Sequence, residues 1–282
     1  MLDQAVRPVR PVLKIVRGQP ASDGAGVRMT RLLGTQDAQM FDPFLMLDFF
    51  NSEDSADYLA GFPDHPHRGF ETVTYMLEGR MRHGDNKGNA GVIETGGIQW
   101  MRAGSGLVHS EMPEQTEGRM SGFQLWVNLP SHLKMSPPAY QEFDASRIAV
   151  EAREGGAQVK VIAGRTSLGT EGPVQGGAVD ALYFDVTLPA GATFVEPLGA
   201  ERNAMVAVFE GAVGIARARA EATSVAFLGE GERVEVQAER DSRFLLIAGR
   251  PLNEPVAWAG PFVMNTREEV MQAFDDFRAG KF

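Results

Sequence analysis

Gly61-Phe62-Pro63-Asp64-His65-Pro66-His67-Arg68-Gly69-Phe70-Glu71-Thr72-Val73 runs without a break into Thr74-Tyr75-Met76-Leu77, and this stretch decides how the chain is read. From Phe70 to Leu77 the β-branched and aromatic residues predict a strand that stops at Glu78-Gly79. In extended chain, residues i and i+2 face the same side, so His65 and His67 present two imidazoles on one face at its entrance. Downstream, Gly84-Asp85-Asn86-Lys87-Gly88-Asn89 reads as a hairpin loop. Strand-like runs follow over 91–95, 98–102 and 107–112, separated by turns at Gly96-Gly97 and Gly104-Ser105-Gly106. Upstream, residues 12–16 and 27–33 read as strands around a turn over 18–26, and the aromatic-rich run 41–50 suits a core strand or a pocket wall. Many short strands at this spacing predict an all-β sandwich or small barrel.

The pattern then repeats weakly. Met76-Leu77-Glu78-Gly79 has an echo in Val208-Phe209-Glu210-Gly211, and a turn at Gly229-Glu230-Gly231-Glu232 answers Gly96-Gly97. This self-similarity points to a duplicated fold with an N-terminal domain over 1–135 and a C-terminal one over 136–282. The offset of 132 (211 minus 79) maps His65 to Pro197, His67 to Gly199 and Glu71 to Asn203, so the second domain is expected to hold no metal. Residues 131–144, with Pro137-Pro138, read as a connector. Residues 265–277 predict one amphipathic helix, opened by the capping-box pair Thr266 and Glu269 and carrying Val270, Phe274 and Phe277 on one face.

Composition excludes several functions. The chain has 282 residues, enough for two domains that each bury a core, and 32 Gly with 16 Pro favour strands and turns. A net charge of −10 argues against nucleic acid as a partner. Without any Cys there is neither a disulfide nor a thiolate. Met1 to Asp3 open no signal-like segment and no run is long and apolar enough for a bilayer, so a cytoplasmic monomer without membrane contact is expected.

Chemistry therefore rests on His, Glu and a bound ion. Three of the five histidines fall in His65-Pro66-His67 and His109-Ser110-Glu111, two pairs that each place two donors on one face. Imidazole nitrogen with carboxylate oxygen suits a borderline divalent metal, and four such ligands leave a six-coordinate ion two open positions. His65, His67, His109 and Glu111 are the expected ligands. Glu71 is read as an acceptor that holds a histidine, His83 as solvated or at a pocket mouth, and His132 as structural. Phe44, Phe49, Phe50, Phe70 and Trp126 suit either the core or an aromatic wall beside the metal.

The segment Gly61 to Val73 resembles the first cupin motif in the form found in the pirin family, and Trp100-Met101-Arg102-Ala103-Gly104-Ser105-Gly106-Leu107-Val108-His109-Ser110-Glu111-Met112-Pro113 resembles the second. Gln124-Leu125-Trp126-Val127-Asn128-Leu129-Pro130 and Gly260-Pro261-Phe262-Val263-Met264-Asn265-Thr266 extend the likeness over most of the chain. The resemblance implies two jelly-roll-like cupin β-barrels packed face to face with a C-terminal helix. It implies one divalent ion, Fe(II) before Mn, Ni, Co, Zn or Cu, at the four ligands of the first barrel, and a metal-free second barrel. It also implies a dioxygenase that cleaves a flavonol such as quercetin with dioxygen, Glu111, or with less support Glu71, assisting as base. The alternative it carries is an iron-dependent regulator that works through a protein partner.

Overall fold

The computed structural model describes residues 8–34 and 41–282. The sequence reading of Met1 to Asp3 lies outside the described residues. The run at 70–77 forms the strand Phe70–Glu78, buried from Phe70 through Met76. It lies inside a seven-stranded sheet ordered Ala139–Phe143, Ile98–Arg102, Phe70–Glu78, Met120–Asn128, Phe44–Ser52, Val27–Leu33 and Gln19–Asp23, with every neighbour antiparallel. A four-stranded sheet, Phe62–His67, Leu107–Pro113, Met81–Asp85 and Ala90–Ile93, closes on it. Their shared core joins Met29, Phe50, Met76 and Met120 of the larger sheet to Met81 and Ile93 of the smaller. The hairpin Ala257–Ala259 and Phe262–Met264 and the helix Arg267–Arg278 complete this unit. Both reciprocal bonds of the Thr266–Glu269 capping box form, Val270 and Ala273 are buried, and Phe274 packs edge-on against Phe262 at 4.8 Å.

The second unit repeats this order strand for strand. Its larger sheet runs Val12–Arg17, Ser224–Leu228, Asn203–Glu210, Ser242–Gly249, Leu182–Leu188, Gln158–Ala163 and Ala149–Ala152. Its smaller sheet runs Thr193–Pro197, Arg233–Ala238, Ala212–Ile215 and Ala218–Glu221. Even the bulges coincide, since the register slips between Met76 and Glu78 opposite Ser121/Gly122 and between Val208 and Glu210 opposite Arg243/Phe244. The interior is filled by apolar residues such as Phe184, Val206, Val234, Val236, Phe244 and Leu246.

The compact units are not contiguous halves. One joins the described residues up to Gly18 to Ile148–Pro251, and the other joins Gln19–Arg147 to Leu252–Phe282. Residues 131–144 are more than a connector, because Ala139–Phe143 pairs with Ile98–Arg102 as the sheet's outer strand, the place that Val12–Arg17 takes beside Ser224–Leu228. The C-terminal hairpin and helix group with the first barrel because Arg68 N–H donates to Pro261 O, Val263 N–H to Arg68 O, and Arg68 Nη1 to Asp276 Oδ2 of the helix at 2.8 Å. The turn expected over 18–26 also contains a strand, Gln19–Asp23, paired with Val27–Leu33.

Candidate metal centre

Antiparallel pairing brings the two motifs together. His109 on Leu107–Pro113 lies directly across from His65 on Phe62–His67, and His67 shares a face with His65. The imidazole centroids of His65, His67 and His109 are 4.4 to 5.1 Å apart, and one nitrogen from each ring lies within 4.8 Å of the others. His65 Nδ1–H donates to the Pro63 carbonyl at 2.9 Å, which leaves its Nε2 lone pair free to coordinate.

His67 and His109 are buried, yet His67 Nδ1 and both nitrogens of His109 have no hydrogen-bond partner among the described residues. Orphaned buried nitrogens are uncommon and call for an explanation. Burial first, then the neighbouring histidines, holds both rings well below the ordinary imidazole pKa, so both are neutral at neutral pH. Converging neutral lone pairs without donors between them are what a divalent cation requires.

Glu111 falls two residues beyond His109, after a register shift against Phe62–His67. Its carboxylate is buried and doubly held, Oε1 accepting from Thr74 Oγ1 at 2.7 Å and Oε2 from Gln124 Nε2 at 2.8 Å. It is not within the 4.8 Å group formed by the three imidazoles. Beside it opens a cavity of about 690 Å³ whose lining includes His65, His67, Glu111, Phe50, Trp126 and Trp258. Trp126 stacks at 4.3 Å on Phe70 and meets His67 edge-on at 5.2 Å. Of the other aromatics, Phe44, Phe49 and Phe70 are core residues, with Phe49 stacked on Phe123.

Several individual readings change. Glu71 holds no histidine, because Trp100 Nε1 and Arg102 Nε each donate to its carboxylate at 2.8 Å. His83 is buried, 2.7 Å from Glu142 and stacked beside Tyr140, both residues of the strand taken for a connector. His132 is exposed on a short 3₁₀ turn. In the second unit a constant offset is out by one. His109 and Glu111 correspond by register to Val234 and Val236, which places Glu196 and Leu198, not Pro197 and Gly199, at His65 and His67. The register shift within Phe62–His67 absorbs the extra residue. Thr74, Gln124, Trp258, Arg31 and Asp48 went unnoticed as cavity residues.

Gly69 shows how tightly the chain beyond the His65/His67 strand is held. Its φ is +89°, and a Cβ there would fall 2.0 Å from the Val263 carbonyl oxygen. Lys134, buried beneath, donates to Gly69 O, Val263 O and Asn128 Oδ1 at 2.6 to 2.9 Å. Desolvation lowers its pKa to about 8.

Two barrels of one topology, one of them carrying a histidine cluster that opens on a cavity, define a two-domain cupin protein. The chain belongs to the pirin family, since residues 26–127 match pirin and residues 183–282 match the pirin C-terminal cupin domain. A pirin-like protein of Caulobacter vibrioides is 70% identical over 275 residues, 98% of this chain and 100% of the relative. A Pseudomonas aeruginosa protein provisionally named quercetin 2,3-dioxygenase is 47% identical over 277 residues, 96% of this chain and 97% of the relative. The crystal structure of quercetin 2,3-dioxygenase from Acinetobacter baumannii superposes with a TM-score of 0.90 at 36% identity, covering 97% of this chain and 98% of that one. No helix among the described residues is long and apolar enough to cross a membrane.

Proposed function

We propose that this chain is a metal-dependent dioxygenase that cleaves a flavonol such as quercetin, with His65, His67, His109 and Glu111 holding one divalent ion, Fe(II) in the cell. The observation that carries this reading is the cavity of about 690 Å³ shared by His65, His67, Glu111, Trp126 and Trp258. That volume falls in the range of ~300–1,000 Å³ for small-molecule pockets. A bound ion supplies Lewis acidity toward a substrate hydroxyl and the means of activating dioxygen.

The protein's own residues do the rest. Trp126 and Trp258, 5.7 Å apart, give a flat polyphenol an aromatic wall. Met46, Phe50, Phe62 and Met81 add apolar surface to the same cavity for the ring system to pack on. Glu111, aimed by Thr74 and Gln124, accepts the proton that the substrate hydroxyl loses. Glu71 has no part in this step, since its carboxylate is bonded to Trp100 and Arg102 and, unlike Glu111, it does not line the cavity. The acidic composition fits a cytoplasmic monomer acting on a small molecule.

Anaerobic loading with Fe(II), followed by oxygen-uptake measurements with a flavonol panel, tests the reading. The expected result is uptake proportional to bound iron. Iron-replete protein that consumes no oxygen with any flavonol, while binding another protein only when loaded, would replace this reading with the regulatory one.

A further inference from the structure

One row of residues crosses six strands of the larger sheet of the histidine-bearing barrel. By strand register, Arg31 lies opposite Asp48, Asp48 opposite Gln124, Gln124 opposite Thr74, Thr74 opposite Gln99, and Gln99 opposite Glu142. All six are polar. In the second barrel the shared bulge equates Thr74 with Val206, and the same row reads Val161, Phe184, Leu246, Val206, Ala226 and Ile15. That row is wholly apolar. The topology thus accepts an apolar row, and replacing buried ion pairs by apolar residues is often neutral or stabilising. The fold itself therefore does not account for the polar row.

Part of the row is explained by Glu111, which Thr74 and Gln124 hold. Arg31 and Asp48 are not. Arg31 Nε and Nη2 bind the two Asp48 oxygens at 2.9 and 2.7 Å, and Nη2 also reaches Asp23 at 3.4 Å. Asp48 is 3% exposed, whereas Arg31 is 34% exposed and lines the cavity. The Arg31 Nη1 group has no hydrogen-bond partner among the described residues. Asp48 fixes the guanidinium in one orientation and leaves a planar donor edge to offer. Two strand spacings, on the order of 10 Å, separate the Arg31 strand from the Gln124 strand beside Glu111. A flavonol's fused rings with their pendant ring are long enough to cover that span.

Resting on the flavonol reading, we infer that Arg31, oriented by Asp48, is the specificity element at the end of the cavity remote from the metal. The ligand it selects is two-ended, an aromatic compound with a metal-chelating hydroxyl–carbonyl pair at one end and a phenolic hydroxyl or phenolate at the other. Arg31 donates to that distal oxygen. Flavonols without distal hydroxyls still reach the metal and lose only this contact.

The test uses metal-loaded full-length protein and tryptophan quenching by quercetin and by 3-hydroxyflavone, which lacks the distal hydroxyls. Wild type is expected to bind quercetin about ten- to a hundredfold more tightly, the effect of a hydrogen bond to a charged donor. Arg31→Met with Asp48→Leu, which leaves no buried charge orphaned and only the exposed Asp23 without its contact, is expected to erase that preference while metal content and 3-hydroxyflavone affinity stay unchanged. Arg31→Lys is expected to restore part of it. Equal weakening of both ligands in the double variant, or no weakening of either, would overturn the inference and leave the flavonol reading intact. Binding of neither compound by wild type would remove the flavonol reading and this inference with it.

Discussion

Thr74 donates its hydroxyl to Glu111 Oε1 at 2.7 Å, and the residue equivalent to Thr74 in the second barrel is Val206. The barrel with the histidine cluster thus differs from its sister by polar groups set into a common strand frame, and the frame does not require them. Thr74→Val leaves Oε1 of the buried Glu111 carboxylate without its donor and is accordingly expected to cost about 1.5–3 kcal/mol of apoprotein stability, the value of a hydrogen bond to a charged group. Metal affinity is expected to fall by about ten- to a hundredfold, as when a partner that orients a ligand is lost. Chelator competition and urea denaturation of the apoprotein measure the two effects separately.

Removing a ligand and removing the ion should both leave the barrel folded, because the core of Met29, Phe50, Met76, Met81 and Met120 is independent of the histidines. His67→Ala and His109→Ala are each expected to abolish stoichiometric metal while keeping the wild-type far-ultraviolet circular dichroism. Loss of the β spectrum on chelation would show that the site is a structural clasp instead.

Lys134 is expected to matter more to stability than any surface charge. Its ammonium satisfies Gly69 O, Val263 O and Asn128 Oδ1 at once, and Gly69 follows His67 of the histidine cluster by two residues. Lys134→Met leaves these acceptors unpaired and should destabilise the protein by about 2–4 kcal/mol in urea denaturation, given the cost of unsatisfied buried polar groups. A weaker metal site should accompany it.

Acid sensitivity has a definable source in Glu142. His83, whose Nε2 lies 2.7 Å from it, holds this carboxylate below the ordinary value of 4.5. Between its folded value and 4.5 the unfolded chain binds more protons, so the stabilisation is present above 4.5 and is lost as pH falls through the folded pKa. Denaturation midpoints between about pH 3 and 6 should therefore fall less steeply for Glu142→Gln than for wild type. An unchanged slope would separate Glu142 from the acid response.

Much of this was legible from residue pattern alone. The strand at 70–77, the pair His65/His67 set opposite His109 and the Thr266 capping box depend on local periodicity, and they stand where the sequence puts them. Edge strands were not legible. Gln19–Asp23 and Ala139–Phe143 are short, largely exposed and adjoin or contain Pro, so they lack the apolar alternation that marks a strand. With Ala139–Phe143 unread, the burial of His83 against Glu142 and Tyr140 had no visible cause. The partners of Glu71 and the one-residue slip at Glu196 depend on cross-strand register, which a bulge sets and a constant offset cannot follow.

The central claim is that four side chains of the first barrel hold the ion. Anomalous diffraction from crystals of the iron-loaded protein tests it most directly. The expected result is a single peak bounded by His65, His67, His109 and Glu111, with the Glu111 carboxylate still bonded to Thr74 and Gln124. A peak lying elsewhere, for instance at the buried Glu196 of the second barrel, or a peak held by the histidines with Glu111 out of reach, would contradict the account.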